Sequence, residues 1–272
     1  MGRCLIVGVL NCTPDSFADG GRFADPESAV RAGLEMAAAG ADWIDVGGES
    51  TRPGARPVPV DEEIGRVVPV IEGLARRLKP DALISIDTYK AETARAALAA
   101  GARIVNDVSG GKLDPPLLLA ARNAEAAVVL GHLRGRPSTM MDGVAFTDVV
   151  AEVTAELAER IAAARAAGVT KIWADPGIGF GKRIEHNLAL LGNLPELGRA
   201  LGVPLMVGVS RKAFLGQLTG RPVGERQFGT AAAVTACVFG GAGAVRVHDV
   251  AAMRDAVSVA EAILAASTKI RV

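Results

Sequence analysis

Four residues suited to holding a multiply charged anion, Arg52, Lys212, Arg246 and His248, lie at or just beyond the ends of three separate short apolar runs. Donors gathered from several loops fit a diphosphate, because charge-assisted bonds to phosphate oxygens are short and strong. Arg211, adjacent to Lys212, must point elsewhere and reads as structural. Asp87, Asn106 and Asp175 close three further runs and supply acceptors or mixed partners. Buried together they are costly unless paired. A flat heterocycle with several N–H donors, such as an aminopyrimidinone, would pair them. Asn11, followed by Thr13, Pro14 and Asp15, opens a polar loop able to hold a hydrated Mg2+, which takes oxygen ligands and keeps several waters.

Taken singly, a carboxylate such as Asp87 is as well explained by capping the next helix. Capping needs no histidine, lysine or arginine, however, and nearly every run ends in a polar residue: Asn11, Asp45, Asp87, Asn106 with Asp107, His132, Asp175, Ser210 to Lys212, and Arg246 with His248. No Ser-His-Asp arrangement can be assigned, and the histidines lack metal-site spacing. His186 reads as structural, and Trp43 and Trp173, inside apolar runs, read as core.

The elements that must position these residues follow from the runs themselves. Strand candidates begin at Cys4, Asp42, Ala82, Ala102, Ala126, Lys171, Pro204 and Gly243. Each is continuously apolar, as in parallel strands covered on both faces. Ala-, Leu-, Glu- and Arg-rich segments, which favour helix, begin near Pro26, Asp61, Lys90, Asp114, Asp148, Glu185, Gly224 and Val250. Eight strands alternating with eight helices, without a Pro/Ser-rich linker, imply one (β/α)8 TIM barrel over residues 1–272. An open doubly wound sheet fits less well, since no Gly-rich fingerprint follows the first strand. In such a barrel the C-terminal strand ends form one rim, and the rim is the site.

Composition narrows the function. Lys plus Arg and Asp plus Glu balance at 30 each, which argues against nucleic acid as partner. Three cysteines without C-x-x-C spacing argue against a disulfide framework and fit a reducing, cytoplasmic setting. The longest apolar runs fall short of the ~18 residues of a membrane span.

With these residues in place, NCTPDSFADGG (Asn11 to Gly21) and DVGGESTRPG (Asp45 to Gly54) resemble the first- and second-loop signatures of the dihydropteroate synthase family. SIDT from Ser85, NDVS from Asn106, DPGIGFGK from Asp175, GVSRK from Gly208 and RVHD from Arg246 continue the likeness in family order, from about Val7 to about Leu264. The resemblance implies joining of (7,8-dihydropterin-6-yl)methyl diphosphate to 4-aminobenzoate in folate synthesis. It places the pterin against Asp87, Asn106, Asp175 and Lys212, and the diphosphate at Thr51, Arg52, Arg246 and His248, with Mg2+ near Asn11. Loops carrying Phe17, Thr51, Arg52 and Pro53 would close over p-aminobenzoate, with Phe180 and Val247 as further substrate contacts. Catalytic roles fall to Asp175, Lys212, Arg246, His248 and Arg52 through an SN1-like departure of diphosphate. A homodimer through the late helices and sulfonamides as competitors of p-aminobenzoate are implied in the same way.

The chain departs from that pattern at four places. Gly131 stands where relatives usually carry Met before the fifth strand's histidine, which bears on pocket shape. The segment before the first strand is short, Cys12 replaces an aliphatic residue, and Ala213 follows Lys212 where many relatives have Ser or Arg. Two other readings share the pterin pocket: a relative that binds pterin without turnover, and a methyltetrahydrofolate-dependent methyltransferase. Asp15, Ser50 to Pro53 and Ser210 to Lys212 favour the synthase, because a methyltransferase has no use for a diphosphate clamp.

Overall fold

The structure, a computed structural model, describes residues 3–13, 25–52 and 54–269. Phe17 and Pro53, together with Asp15 of the first loop, lie outside the described residues. The chain runs through β1 (Leu5–Asn11), α1 (Pro26–Ala38), β2 (Trp43–Gly47), α2 (Val60–Ala75), β3 (Leu83–Asp87) and α3 (Ala91–Ala100). It continues with β4 (Ile104–Asp107), α4 (Pro116–Asn123), β5 (Ala127–Gly131), α5 (Val149–Ala166), β6 (Ile172–Asp175), α6 (Ile184–Gly192) and α7 (Leu194–Leu201). Last come β7 (Met206–Gly208), α8 (Ala213–Thr219), α9 (Gln227–Phe239), β8 (Ala244–Val247) and α10 (Val250–Lys269).

The strands pair in parallel in the order β6-β5-β4-β3-β2-β1-β8-β7. The two ends of that order meet through a parallel bridge between Ala174 and Leu205, where the Ala174 N–H donates to Pro204 O at 3.0 Å. The sheet is therefore the (β/α)8 barrel that the alternation implies, not an open sheet.

Two crossovers differ from the expected single helix. After β6 the helix stops at Asn193 and restarts as α7 with Pro195 in its first turn, a residue that has no N–H to continue α6. After β7, α8 ends at Gly220 with φ +71°, and Pro222 and a short 3-10 turn over Val223–Glu225 precede α9. No helix among the described residues is long and apolar enough to cross a membrane.

Side chains alternate across each strand, so one set enters the barrel and the other meets the helices. Ile6, Ile44, Ile86, Val105, Val128, Val207, Val245 and Val247 join the large apolar core that also takes in helix residues such as Val67, Leu74, Leu157 and Val257. Val7, Trp43, Ile104, Val129, Met206 and Ala244 form a second cluster inside the barrel, with Leu5, Ala127 and Trp173 against it. Trp43 and Trp173 meet edge-to-face at 5.0 Å between ring centres, so the tryptophans fill the barrel floor as core, in agreement with the sequence. One step further along the strands, in register with one another, come Asp45 and Ser85, and then Gly47 and Asp87. Apolar residues thus occupy the N-terminal half of the barrel and polar ones the C-terminal half.

Truncating the floor tests this layering. Trp43→Ala should lower stability by about 3–5 kcal/mol in urea unfolding, the usual loss for a buried tryptophan. A loss below about 1 kcal/mol would mean that the floor is not packed as described.

Candidate active site

The centre of the barrel mouth is an ion triad. Arg246, rising from β8, donates from Nε to Asp45 Oδ2 at 2.6 Å and from Nη2 to Asp87 Oδ2 at 2.7 Å. Asn106 on β4 donates from Nδ2 to the same Asp45 oxygen at 3.0 Å. Asp45 is fully buried, and Arg246 retains about a fifth of its side-chain exposure. The sequence assigns Arg246 to an anion and gives Asp45 no role. The structure instead ties the guanidinium to two carboxylates. That pairing links β2, β3, β4 and β8, and local spacing carries no sign of it.

Capping does not account for the rim carboxylates. α1 is capped by Asp25, which accepts from the Ser28 N–H at 2.9 Å, and α5 by Asp148. The N-caps of α3 and α6 are Lys90 and Arg183, not Asp87 and Asp175. Asp107 does serve its local turn, accepting from the N–H groups of Ser109 and Gly111 at 2.7 and 2.6 Å. Asp87 and Asp175 are left for the mouth.

One cavity is lined by Thr51, Asp87, Asn106, Val108, Gly131, Asp175, Gly177, Phe180, Gly208, Lys212 and Arg246. It gathers six of the sequence-derived site residues in addition to Phe180. Lys212 reaches over from the start of α8, donates to Ile178 O, and lies 4.4 Å from the centre of the Phe180 ring. Its turn is unusual: Arg211 has φ +58° and is held there by two bonds to Asp249, at 2.7 and 3.2 Å. A non-glycine residue in that conformation is strained, and the Asp249 pair holds it there. Arg211 is therefore structural, as the sequence implies.

Burial shapes the protonation of the mouth. It pushes the Asp87 carboxyl up to about 7, against the Arg246 guanidinium and with help from Asp45. It lowers Lys212 to about 8, with Asp175 opposing. Asp175 itself is raised by burial, while Lys212 and the Gly177 N–H, 2.7 Å from its Oδ1, work to keep it ionised. For Arg246 burial works against the charge, but Asp45 and Asp87 outweigh it and hold the guanidinium above its usual range.

His248 sits beside the cavity. Ser210 Oγ accepts from the His248 backbone N–H at 3.2 Å and lies 3.0 Å from Nδ1. Burial, Arg246 and Arg211 depress the imidazole to about 3, so it is neutral. With the Ser210 hydroxyl donating to Nδ1, the ring proton sits on Nε2, and His248 remains a donor without charge. Arg52 is exposed on the loop after β2 and close enough to act on His248.

The base of that loop is clamped. Lys90 Nζ donates to Glu49 Oε2 at 2.6 Å, Glu63 Oε2 at 2.7 Å and Val58 O at 2.5 Å. Tyr89 Oη donates to Glu49 Oε1 at 2.6 Å, and the Val58 N–H to Glu49 Oε2 at 2.9 Å. Both ends of the segment carrying Thr51 and Arg52 are pinned by one lysine.

Several sequence-derived residues lie apart from the cavity lining, Arg52 and His248 among them. Val247 has its side chain fully buried in the core between sheet and helices, turned away from the cavity. His132 is also fully buried, behind the mouth. His186 starts α6 and packs against Phe146 at 5.0 Å, a structural place. Asn11 ends β1 half-buried, with its side-chain oxygen directed toward Gly47. Among the described residues no cluster of His, Cys, Asp or Glu could hold a metal. A single amide oxygen fits Mg2+ only in the manner of an ion that keeps its waters and takes its remaining ligands from phosphate.

Two lining residues, Val108 and Gly208, escaped the sequence reading, being apolar or without a side chain. Val108 also explains Gly131. A Cβ at Gly131 would lie 2.7 Å from Val108 Cα, 2.8 Å from Val108 O and 2.9 Å from Asp107 O. The backbone after β4 fills the room a side chain would need.

The pterin binding enzyme family model matches residues 7–248. The chain is 46% identical to a dihydropteroate synthase of Synechocystis sp. over 264 residues, covering 96% of this chain and 90% of that one. It superimposes on the Yersinia pestis dihydropteroate synthase in complex with a sulfonamide drug with a TM-score of 0.91, at 39% identity, covering 97% and 95% of the two chains. With the Burkholderia cenocepacia dihydropteroate synthase complexed with 7,8-dihydropteroate the TM-score is 0.88 at 42% identity, covering 99% and 94%. Fold and site together define an enzyme of the pterin-binding (β/α)8 class. Within that class the chain belongs to the dihydropteroate synthase family, whose members are transferases.

The tight approach at Gly131 is testable. Gly131→Met should lower stability by about 1–3 kcal/mol in denaturant unfolding, the range for overpacking. Unchanged stability would mean that the turn after β4 retreats freely.

Proposed function

We propose that the chain condenses (7,8-dihydropterin-6-yl)methyl diphosphate with 4-aminobenzoate, releasing diphosphate and 7,8-dihydropteroate. The observation that carries this reading is the joining of Asp87, Asn106, Asp175 and Lys212 in one cavity. Two carboxylates and an amide match the N–H edge of a pterin, and Lys212 offers a donor to its carbonyl or ring nitrogen. The product complex of the Burkholderia relative supports the same occupant.

The reaction breaks the bond between the pterin methylene and the diphosphate oxygen. Positive charge spreads into the pterin ring, where Asp175 faces it. The neutral aryl amine then attacks the methylene, forming the C–N bond, and its proton passes to solvent. Little general-base strength is needed, so positioning and charge stabilisation dominate. Thr51, Arg52 and the Nε2–H of His248 would bind the leaving diphosphate. Arg246, already paired with Asp45 and Asp87, would aim Asp87 at the ring and add positive potential. Asn11 would hold Mg2+, which when bound would supply positive charge at the leaving group. The loops carrying Phe17 and Pro53 would cover p-aminobenzoate, the place where sulfonamides would compete, as the Yersinia complex supports.

A homodimer is part of the proposal. It is supported by exposed Leu218, Val223, Phe228, Phe239, Val259 and Ile263 around α8 to α10, with Phe228 87% exposed. A cytoplasmic setting is supported by the free thiols of Cys4, Cys12 and Cys237.

The first test is diphosphate release that depends on p-aminobenzoate, with Mg2+ present. Asp175→Asn should reduce it about 10²-fold or more, the loss typical of a group that stabilises developing charge. Undiminished turnover in a folded Asp175→Asn protein would remove that role. Pterin calorimetry with no release by the wild type would leave a binding protein instead.

The pH profile gives a second test. Asp87 accepts an N–H as carboxylate above about 7, and Lys212 carries its charge below about 8. Then kcat/KM for the pterin should be highest between those values, falling as Asp87 protonates at lower pH and as Lys212 deprotonates at higher pH. A flat profile from pH 6 to 9 would contradict both assignments.

A further inference from the structure

Lys182 is an unusual residue to find inside the barrel wall: it is 4% exposed. Its ammonium has three donors and three acceptors around it: His132 Nδ1 at 2.9 Å, Phe180 O at 3.1 Å and His132 O at 3.3 Å. Since Nδ1 accepts, the His132 proton lies on Nε2, which is 3.2 Å from Glu156 Oε2 but makes no hydrogen bond to it. Burial and the surrounding cations Lys182, Arg160 and Arg134 keep that imidazole neutral.

What Lys182 holds is the wall of the mouth. Its acceptors lie on two segments, the end of β5 at His132 and the loop after β6 at Phe180. Between them Gly177 folds so closely over the strand end that a Cβ there would lie 2.0 Å from His132 O and 3.1 Å from Lys182 Nζ. The N–H of that same Gly177 holds Asp175 Oδ1 at 2.7 Å. Asp175, Gly177 and Phe180 all line the cavity, whereas Lys182 does not. Lys182 is also one of the positive charges that favour ionised Asp175, behind it rather than in the mouth.

We propose that Lys182, acting through His132, is a positioning residue for the pterin side of the site, fixing the Asp175–Phe180 segment against the end of β5. The inference rests on the synthase reading for its substrate, but not for its geometry. The segment lies across the mouth from the Lys90 clamp that sets Thr51 and Arg52. A loss of Lys182 therefore acts on the pterin and leaves the aminobenzoate loop in place.

The test pairs Lys182→Met, similar in length without the charge, with His132→Asn and His132→Leu. Asn retains an acceptor near the Nδ1 position and Leu does not. In steady-state turnover Lys182→Met and His132→Leu should raise the KM for the pterin diphosphate at least tenfold. KM for p-aminobenzoate should stay within twofold, and His132→Asn should recover most of the pterin affinity. Folded variants with an unchanged pterin KM, or with both KM values raised alike, would overturn the proposal. If Lys182→Met does not fold, the His132 pair decides alone: equal pterin affinity in Asn and Leu overturns the proposal, and a split between them supports it. Calorimetry with 7,8-dihydropterin alone reads the same split without turnover. A wild type inactive in the assay would thus refute the synthase reading while the positioning role is still decided.

Discussion

Two carboxylates and one guanidinium share the centre of the barrel, and that ion triad sets the terms for the rest of the mouth. Asp45 has no exposed surface, and its Oδ1 has no hydrogen-bond partner among the described residues. A buried carboxylate in that condition is tolerable only with a cation held close. Arg246 is that cation, and its planar fork serves Asp45 and Asp87 at once. Buried ion pairs of this kind are weak sources of stability, since apolar residues of similar size often do as well. The triad is better understood as the means of keeping Asp87 ionisable although it is buried, with its carboxyl lifted to about 7 and not beyond recovery.

The barrel makes such a centre affordable by separating it from the packing. Period-two alternation sends Ile6, Ile44, Ile86 and Val245 outward to the helices, while the strand floor is closed by Trp43, Trp173 and Met206. Polar residues then appear only in the upper half of the barrel, where Asp45 follows Trp43 by two positions and Arg246 follows Ala244 by two. One strand supplies both a floor residue and a site residue, so a register slip of a single residue would exchange core for site. The rigidity of the floor and the placement of the mouth are thus one property of the strand pairing.

This explains what could be read from the sequence. The eight strands were legible because each is a continuous apolar run, and the rim was legible because a barrel gathers strand ends. Asp87, Asn106, Asp175 and Lys212 were found on that ground and do line one cavity. Partnership was not legible. Nothing local to Arg246 announces that residues 201 and 159 positions away in the chain take its donors. The outward direction of Val247 follows from alternation, since Arg246 faces in, but its place in the RVHD motif masked it. Gly131 reads from sequence as a missing side chain, whereas the structure shows backbone of Val108 in that space. The doubled helices after β6 and β7 were marked by Asn193-Leu194-Pro195 and Gly220-Arg221-Pro222, which helix propensity summed over a long segment passes over.

The cations of the molecule divide by what surrounds them, and the division follows the chemistry. Lys90 and Lys182 each spend their donors on protein oxygens or a ring nitrogen, and each sits where two segments must be held together: the two ends of the loop after β2, and the loop after β6 against β5. Arg52 is exposed on the clamped loop, and Lys212 faces the cavity over Phe180. A reaction that separates a diphosphate from a carbon centre needs cations of both kinds. Those facing the substrate can stabilise charge only if their own positions do not relax when that charge appears, because electrostatic stabilisation in a dry site depends on donors fixed beforehand. Buried lysines with every donor occupied provide that fixity, since moving either one would leave buried donors without acceptors. In this barrel the groups that would do the chemistry stand on loops, and buried ionic clamps lend those loops the rigidity of the strands beneath them.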